Sequence, residues 1–307
     1  MGYDPMTSII IPTHARPHMV ERAVRSALEQ TYGRTEVIVI DDNPPVSVGR
    51  HSTVKAIERL LGGLPPRKLR FMQTAGEIGA GAARNQACAE ARGEYLCFLD
   101  DDDVFLPDKV ATQLAFMQEH DLEMCYQDVA WYDEDGRLVE LRRLDHARSM
   151  SYIDLLRAHM LTPISPTSIY MIRHELFERV GGFGDMHMGE DWLLMLRCIE
   201  AGGRIGYMPG VHVHQTLHGN RLSVGQSKIE GESKRHEIVR RYYGLLDADE
   251  QRYVEFRHNA VLAVAEKRAG NPKGVLSFGV KAVANAPLTA LREAAGFLAQ
   301  RRTSCTA

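Results

Sequence analysis

The chain has 307 residues, 44% of them hydrophobic and 25% charged, with a formal net charge of −3. That is chain enough for one large domain or one and a half, and its ordinary globular composition excludes the disordered and fibrous classes. A near-neutral balance gives no global field for nucleic acid, so no nucleic-acid partner is expected and any substrate phosphate must be met locally.

Thr7–Pro12 is a β-branched run ended by proline and reads as a buried strand. Val20, Ala23, Val24, Ala27 and Leu28 form a helical stripe within Val20–Gln30, and Glu36–Ile40 is a second buried strand stopped by Asp41-Asp42-Asn43-Pro44-Pro45. A helix over Val48–Leu61, a strand at Leu69–Gln73, an alanine-rich helix at Ala80–Arg92 and a fourth strand at Tyr95–Leu99 follow. Strands alternating with helices predict βαβ units and a mainly parallel sheet, with the loops after the strands gathered on one ligand-binding edge. Beyond a helix from Pro107, the spacing predicts a hairpin of Met124–Asp133 and Leu138–Arg142, a strand at Thr167–Ile172 and a helix at Glu190–Ala201. From Ser227 onward only helices are expected, broken at Asp247, Gly270–Pro272 and Pro287.

Asp100-Asp101-Asp102-Asp103 directly follows the apolar fourth strand. Two carboxylates about 4 Å apart repel by about 1 kcal/mol in water and about 4 kcal/mol at a surface-like dielectric. A hard cation such as Mg²⁺ or Mn²⁺, which prefers a few carboxylates plus phosphate oxygens, removes that repulsion. The alternative is a solvated acidic turn before the next helix. Asp41-Asp42 ends another strand on the same edge, either to accept hydrogen bonds from a base or ribose or to form an Asx turn. Gly79 through Asn85 opens a helix with small residues and sets Arg84 one turn in, a start that lets backbone approach an anion. Glu190-Asp191 opens a helix after a glycine-rich stretch, where an Asp serves as a cap or as a general base. His212, His214 and His218 cluster without a nearby cysteine, which disfavours a closed zinc site and leaves one of them to complete an Asp-bound metal.

The five cysteines, at 88, 97, 125, 198 and 305, show no paired short spacing, and no apolar run reaches the ~18 residues of a membrane span. Reduced thiols and a cytoplasmic protein are therefore expected.

Taken together, SIIIPTHARP, LEQTY, EVIVIDDN, IGAGAARNQA, GEYLCFLDDDD with LPDK, and VGGFGDMHMGEDWLLMLR resemble, in family order, the family 2 glycosyltransferases. The resemblance covers about residues 7–225. It implies a GT-A fold (Rossmann-like, with a mainly parallel central sheet flanked by helices) over residues 1–225 and a helical C-terminal extension over 226–307. It implies an inverting, metal-dependent transfer of sugar from a nucleotide-diphosphate-sugar, a UDP-sugar first, to a saccharide or lipid-linked hydroxyl acceptor in polysaccharide or glycoconjugate synthesis, with Mn²⁺ or Mg²⁺ as cofactor. Carried over residue by residue, Pro12, Thr13 and Arg16 would line the nucleotide pocket, Asp42 would meet the base, and Arg84 would lie near the diphosphate or ribose. Asp100 and Asp102 take the acidic places of an Asp-x-Asp motif with Asp101 between them near the ribose, and Gly79 and Glu190 join the donor-binding set. Asp102 and His218 would contact the metal, and Asp191 would be the catalytic base. The first loop reads Thr-His-Ala-Arg where Tyr-Asn-Arg is commoner, and Asn43-Pro44 replaces the usual Gly-Ser. Two other readings are a nucleotidyltransferase and a non-catalytic sugar-nucleotide-binding protein; the former wants a basic glycine-rich first loop, which Thr13–His18 is not.

Tyr152–Pro166 and Phe183–Gly189 are candidate loops around the acceptor. In the tail, Val275, Leu276, Phe278, Val280, Val283, Leu288, Leu291, Phe297 and Leu298 fit a helical stripe imperfectly, with Lys281, Arg292, Arg301 and Arg302 interspersed. Such a face could pack on the catalytic part, pair two subunits as a homodimer, or lie peripherally on a membrane.

Overall fold

A computed structural model describes residues 4–62, 68–148, 151–186, 188–217, 226–289 and 291. The chain divides into two compact units, the first formed by residues 1–156 and 164–219, the second by residues 157–163 and 220–307.

The first unit is built on the strands β1 (Thr7–Thr13), β2 (Thr35–Asp41), β3 (Leu69–Gln73) and β4 (Tyr95–Phe98), separated by α1 (Pro17–Leu28), α2 (Val48–Leu61) and α3 (Ala80–Ala89). β1 is parallel to both β2 and β4, and β2 is parallel to β3. Ile9, Ile10, Ile11 and Val37 to Ile40 are fully buried; each such side chain contributes roughly 1.5–3 kcal/mol when removed from water. This explains why these strands are continuous apolar runs rather than alternating ones. α1 begins with Pro17 at its first position and buries Val20, Ala23, Val24 and Ala27, while the Ser47 hydroxyl caps α2 by accepting from the Arg50 N–H. Because Thr13 pairs with Asp41 and Ile10 with Phe98, the carboxyl ends of β1, β2 and β4 share one edge.

The rest of this unit comprises β5 (Val104–Phe105), α4 (Lys109–Glu119), β6 (Met124–Tyr132), β7 (Leu138–Arg142), α5 (Tyr152–Leu161), β8 (Met171–Arg173), α6 (His174–Arg179), α7 (Glu190–Glu200) and β9 (Ile205–Thr216), of which α5 straddles the two units. The sheet order is β3-β2-β1-β4-β8-β6-β9-β5, with β7 beside β6. β8 runs antiparallel to β4 and β6, whereas β6 and β9 are parallel. The expected parallel sheet thus holds for the first four strands and becomes mixed beyond them.

Several boundaries differ from expectation. The expected strand at Thr167–Ile172 is a 3-10 turn over Thr167–Ile169 followed by the three-residue β8. Side chains take the carbonyls a ladder would use, since Gln113 donates to the Ile169 oxygen at 2.9 Å and the buried Lys109 ammonium to that of Tyr170 at 3.0 Å. The helix expected to reach Arg92 stops at Ala89. There the Arg92 N–H and guanidinium instead donate to the fully buried Glu36 carboxylate, which also receives the Ser8 hydroxyl at 2.7 Å. Gly93 follows because an added Cβ would lie 2.4 Å from the Ser8 nitrogen. Tyr152–Pro166, read as a loop, is helical through Leu161.

The second unit contains α8 (Gln226–Arg240), α9 (Ala248–Arg268) and α10 (Pro272–Asn285). Asp247 and Glu250 form a capping box at the start of α9, and the Asn271 side chain caps α10. Phe297, Leu298 and the arginines beyond Leu291 lie outside the described residues. No helix among the described residues is long and apolar enough to cross a membrane.

Candidate active site

The four acids after β4 divide by alternation. Asp101 and Asp103 are buried while Asp100 and Asp102 face outward, with side chains 34% and 17% exposed. Asp101 accepts from the Thr13 hydroxyl at 2.7 Å and from Arg16 at 3.1 Å. Asp103 accepts from the Gln215 amide at 2.7 Å and the Thr216 N–H at 3.1 Å. The tetrad is therefore fastened at one buried carboxylate to the end of β1 and at the other to the end of β9, and the alternate carboxylates Asp100 and Asp102 keep partial exposure. Arg16 also reaches Asp102 at 2.6 Å, and Arg22 donates to the Asp102 carbonyl at 2.6 Å and to the Thr216 hydroxyl at 2.9 Å.

Burial pushes the Asp101 carboxyl up to about 6, with Asp102 and Asp100 adding to the rise against Arg16 and Thr13. Burial raises Asp103 well above the carboxylate range, and Asp100 and Asp102 push the same way. The repulsion expected from the sequence thus adds to a rise that burial dominates, on the members least able to reach water.

Arg84 joins the tetrad to a second acidic pair. It is 4% exposed, its guanidinium donates to Asp100 and, at 3.2 Å, to Glu190, and it lies over the Phe183 ring at 5.3 Å. Asp191 is partly exposed, and one of its carboxylate oxygens accepts from the Trp192 N–H at 2.7 Å. Desolvation raises this carboxyl to about 6; Glu190 and Asp100 add to the rise, and Arg84 opposes it. Asp100 and Asp191, some ninety residues apart in the chain, therefore feel one another's charge through a site crossed by Arg84.

Two loops set this geometry. Gly189 precedes α7 in a left-handed conformation, φ 91°, which glycine adopts without steric cost. Asn85, one residue past Arg84, donates to the Phe183 carbonyl and accepts from the Phe183 N–H, both at 2.9 Å. An added Cβ at Gly182 would sit 2.5 Å from the same Asn85 oxygen. Helix α3 thus clamps the glycine-rich stretch that delivers Glu190 and Asp191.

The other candidates divide. Pro12 ends in the buried β1. The Asp42 carboxylate accepts from the Thr74 hydroxyl at 2.6 Å and from the N–H groups of Ile78 at 3.0 Å and Gly79 at 2.9 Å. It ties down the loop that opens α3, so Gly79 and Asp42 act on one another. Asp41 supplies the Asx turn, accepting from the Asn43 N–H at 2.9 Å. Asn43, where Gly-Ser is commoner, accepts from the Ala15 N–H at 2.8 Å and holds the first loop, in which Ala15 has φ 56°. His212 pairs with Asp108 at 3.0 Å and the His214 ring packs 4.3 Å from Tyr132, so neither joins the tetrad. His218 lies outside the described residues. Arg22, Gln215 and Thr216 escaped the sequence reading, and the bonds between Asn85 and Phe183, each named only within a longer segment, were not foreseen. For Gln215 and Thr216, the alternation Val211-His212-Val213-His214 was a strand signal, obscured by Pro209-Gly210 at a shift in register.

Among the described residues, no group of three His, Cys, Asp or Glu forms a ready metal cage. Outward-facing Asp100 and Asp102 nevertheless fit Mg²⁺ or Mn²⁺, which bind through one or two carboxylates and complete their shell with water and substrate phosphates.

The family model described as Glycosyl transferase family 2 matches residues 8–181, more than half of the chain. The putative teichuronic acid biosynthesis glycosyltransferase TuaG of Bacillus subtilis is 29% identical over 157 residues, which is 51% of this chain and 59% of that protein, so less than two thirds of TuaG is spanned. Among solved structures, Staphylococcus aureus TarS 1–349 in complex with UDP-GlcNAc superposes with TM-score 0.60 at 18% identity, covering 95% of this chain and 92% of that one. The mannosyltransferase PcManGT of Pyrobaculum calidifontis, in complex with GDP-Man and Mn²⁺, superposes with TM-score 0.56 at 20% identity, covering 97% and 81%. These two likenesses show the fold, and GT-A is the fold that positions the tetrad and the Glu190-Asp191 pair on one edge of the sheet. With a family match running from the first strand to the glycine-rich stretch before α7, the chain belongs to glycosyl transferase family 2 and is a glycosyltransferase.

Proposed function

We propose that this enzyme transfers a sugar from a nucleotide-diphosphate-sugar to a hydroxyl acceptor with inversion, in the synthesis of a polysaccharide or glycoconjugate. The observation that carries this reading is Arg84, a buried cation bridging the strand-end carboxylates and the Glu190-Asp191 pair. The names of TuaG and of the putative colanic acid biosynthesis protein WcaA of Escherichia coli support a polysaccharide product. TarS with UDP-GlcNAc supports a UDP-sugar as the donor to try first.

Six carboxyl groups (Asp100 to Asp103, Glu190 and Asp191) gather near two guanidinium groups, Arg16 and Arg84, while Arg22 holds the Asp102 carbonyl. Burial raises the Asp101, Asp103 and Asp191 carboxyls, and the neighbouring acids add to the rise. Asp102, with Asp100 beside it and His218 from the segment after β9, would hold Mn²⁺ or Mg²⁺, which supplies positive charge to a diphosphate leaving group. Pro12, Thr13 and Arg16 line the donor pocket at the end of β1, and Asp42 and Gly79 shape its floor. Arg84, Asp100 and Glu190 face the diphosphate and sugar, and the buried Asp101 supports them by holding Thr13 and Arg16.

Asp191 accepts the proton of the acceptor hydroxyl as that oxygen attacks the anomeric carbon. The bond from this carbon to the diphosphate oxygen breaks with its electron pair on the diphosphate, and the configuration inverts. A carboxyl raised to about 6 is still mainly ionised at neutral pH and is a stronger base than an ordinary aspartate. The test is thermal-shift screening of nucleotide-sugars with and without Mn²⁺, followed by NMR of the product's anomeric centre. Metal-enhanced stabilisation by a donor and an inverted product are expected. A retained configuration would remove Asp191 from its role as base.

A further inference from the structure

We propose that the outer face of α10 docks on the surface of an anionic lipid bilayer. This inference is independent of the sugar-transfer reading.

α10 packs against α9 through one side, where Ala282 is buried and Val275 and Phe278 are half-buried, and leaves its other side uncovered within its unit. Leu276, Val280 and Val283 are 70%, 60% and 53% exposed. They are spaced i, i+4 and i+7, so one stripe of the helix carries all three. Leu288 and Leu291 follow the helix and are 72% and 67% exposed. Five large aliphatic side chains so close in sequence are not the scattered exposure normal for a soluble surface.

Charge identifies the occupant. α10 carries Lys273 and Lys281 and no acid. Residues 269–307 hold those two with Arg292, Arg301 and Arg302 against Glu293 alone, a net of +4 in a chain whose total is −3. The positive charge is therefore concentrated at the apolar end of the sequence. A second copy meeting this face about a two-fold axis would bring lysines against lysines. A bilayer with anionic headgroups accepts both features, burying leucine and valine below the headgroups and pairing the lysines at their level. No described helix can span a bilayer, so the contact lies in the plane of the surface.

The full-length enzyme is sedimented with vesicles of phosphatidylcholine alone or of phosphatidylcholine with phosphatidylglycerol, and its mass in solution is measured by light scattering. Binding to the anionic vesicles only, weakened by salt, is expected. L276E with V280E, and separately K273E with K281E, should each lower the bound-to-free ratio on the order of tenfold. Circular dichroism confirms that the variants fold, and donor turnover in solution should be unchanged because none of the four residues lies in the transfer site. Failure to bind anionic vesicles, equal binding to neutral ones, wild-type binding by both variants, or a dimer broken by the same substitutions would overturn the proposal. An enzyme inactive on every donor would still sediment, so the two readings fail separately.

Discussion

Replacing Arg84 by methionine keeps most of the side-chain length and removes one positive charge from the centre of the site. The guanidinium is 4% exposed and lies 3.2 Å from Glu190 while also holding Asp100. At an effective dielectric near 20, a 3.2 Å ion pair has about 5 kcal/mol of Coulomb attraction, much of it offset by desolvation. Removing one partner of such a buried pair costs about 3–5 kcal/mol, because the acids keep their desolvation penalty without their counter-charge. Asp191 responds as well. Its carboxyl stands at about 6 with Arg84 holding it down, so loss of that cation should raise it, on the order of one unit for a charge this close to the site. At pH 6.5 the ionised fraction then falls from about three quarters to about one quarter, roughly a threefold loss of base beyond any loss of donor binding. The assay is kcat/KM from pH 5 to 9 with a urea melt of each protein. The acidic limb should move to higher pH in the variant, and the melt midpoint should fall. A variant with wild-type stability and an unmoved limb would refute the idea that this cation couples the two acidic pairs.

Three further outcomes are expected. Asp191→Asn should bind donor nearly as the wild type does while turnover drops roughly 10²–10⁴-fold, and the acidic limb, along which activity falls as pH drops through about 6, should disappear. Asp102→Ala should abolish the Mn²⁺-dependent part of nucleotide-sugar binding by calorimetry, since Asp102 is the carboxylate proposed to hold the cation and Asp100 and Glu190 are engaged by Arg84. Glu36→Ala should destabilise the first unit by about 3 kcal/mol in urea unfolding, because Arg92 and Ser8 lose a fully buried acceptor. Burial raises the Glu36 carboxyl, but Ser8 and Arg92 outweigh it and hold the group below its ordinary value. Its contribution is thus present at neutral pH and should be lost as pH falls below the ordinary glutamate range.

The sequence by itself determined the first half of the molecule. The runs Ile9–Ile11 and Val37–Ile40 are apolar on every residue because parallel strands are buried on both faces, and that pattern is local. The helix stop and start signals around Val48–Leu61 and Asp247 are equally local, and α2 falls on its expected residues. The Asp tetrad was legible because four adjacent carboxylates after an apolar strand are costly anywhere. Which of the four face inward was not legible: it depends on Thr13, Arg16, Gln215 and Thr216, the last two more than a hundred residues downstream. Tertiary structure likewise decided that Thr167–Ile169 turns instead of extending, since Gln113 and Lys109 supply its hydrogen bonds from another element. It also made Asp42 a loop anchor and set Arg84 between two acidic pairs. Propensity and periodicity are properties of neighbours along the chain, whereas the charge balance of a site is settled by groups that only folding brings within a few ångströms.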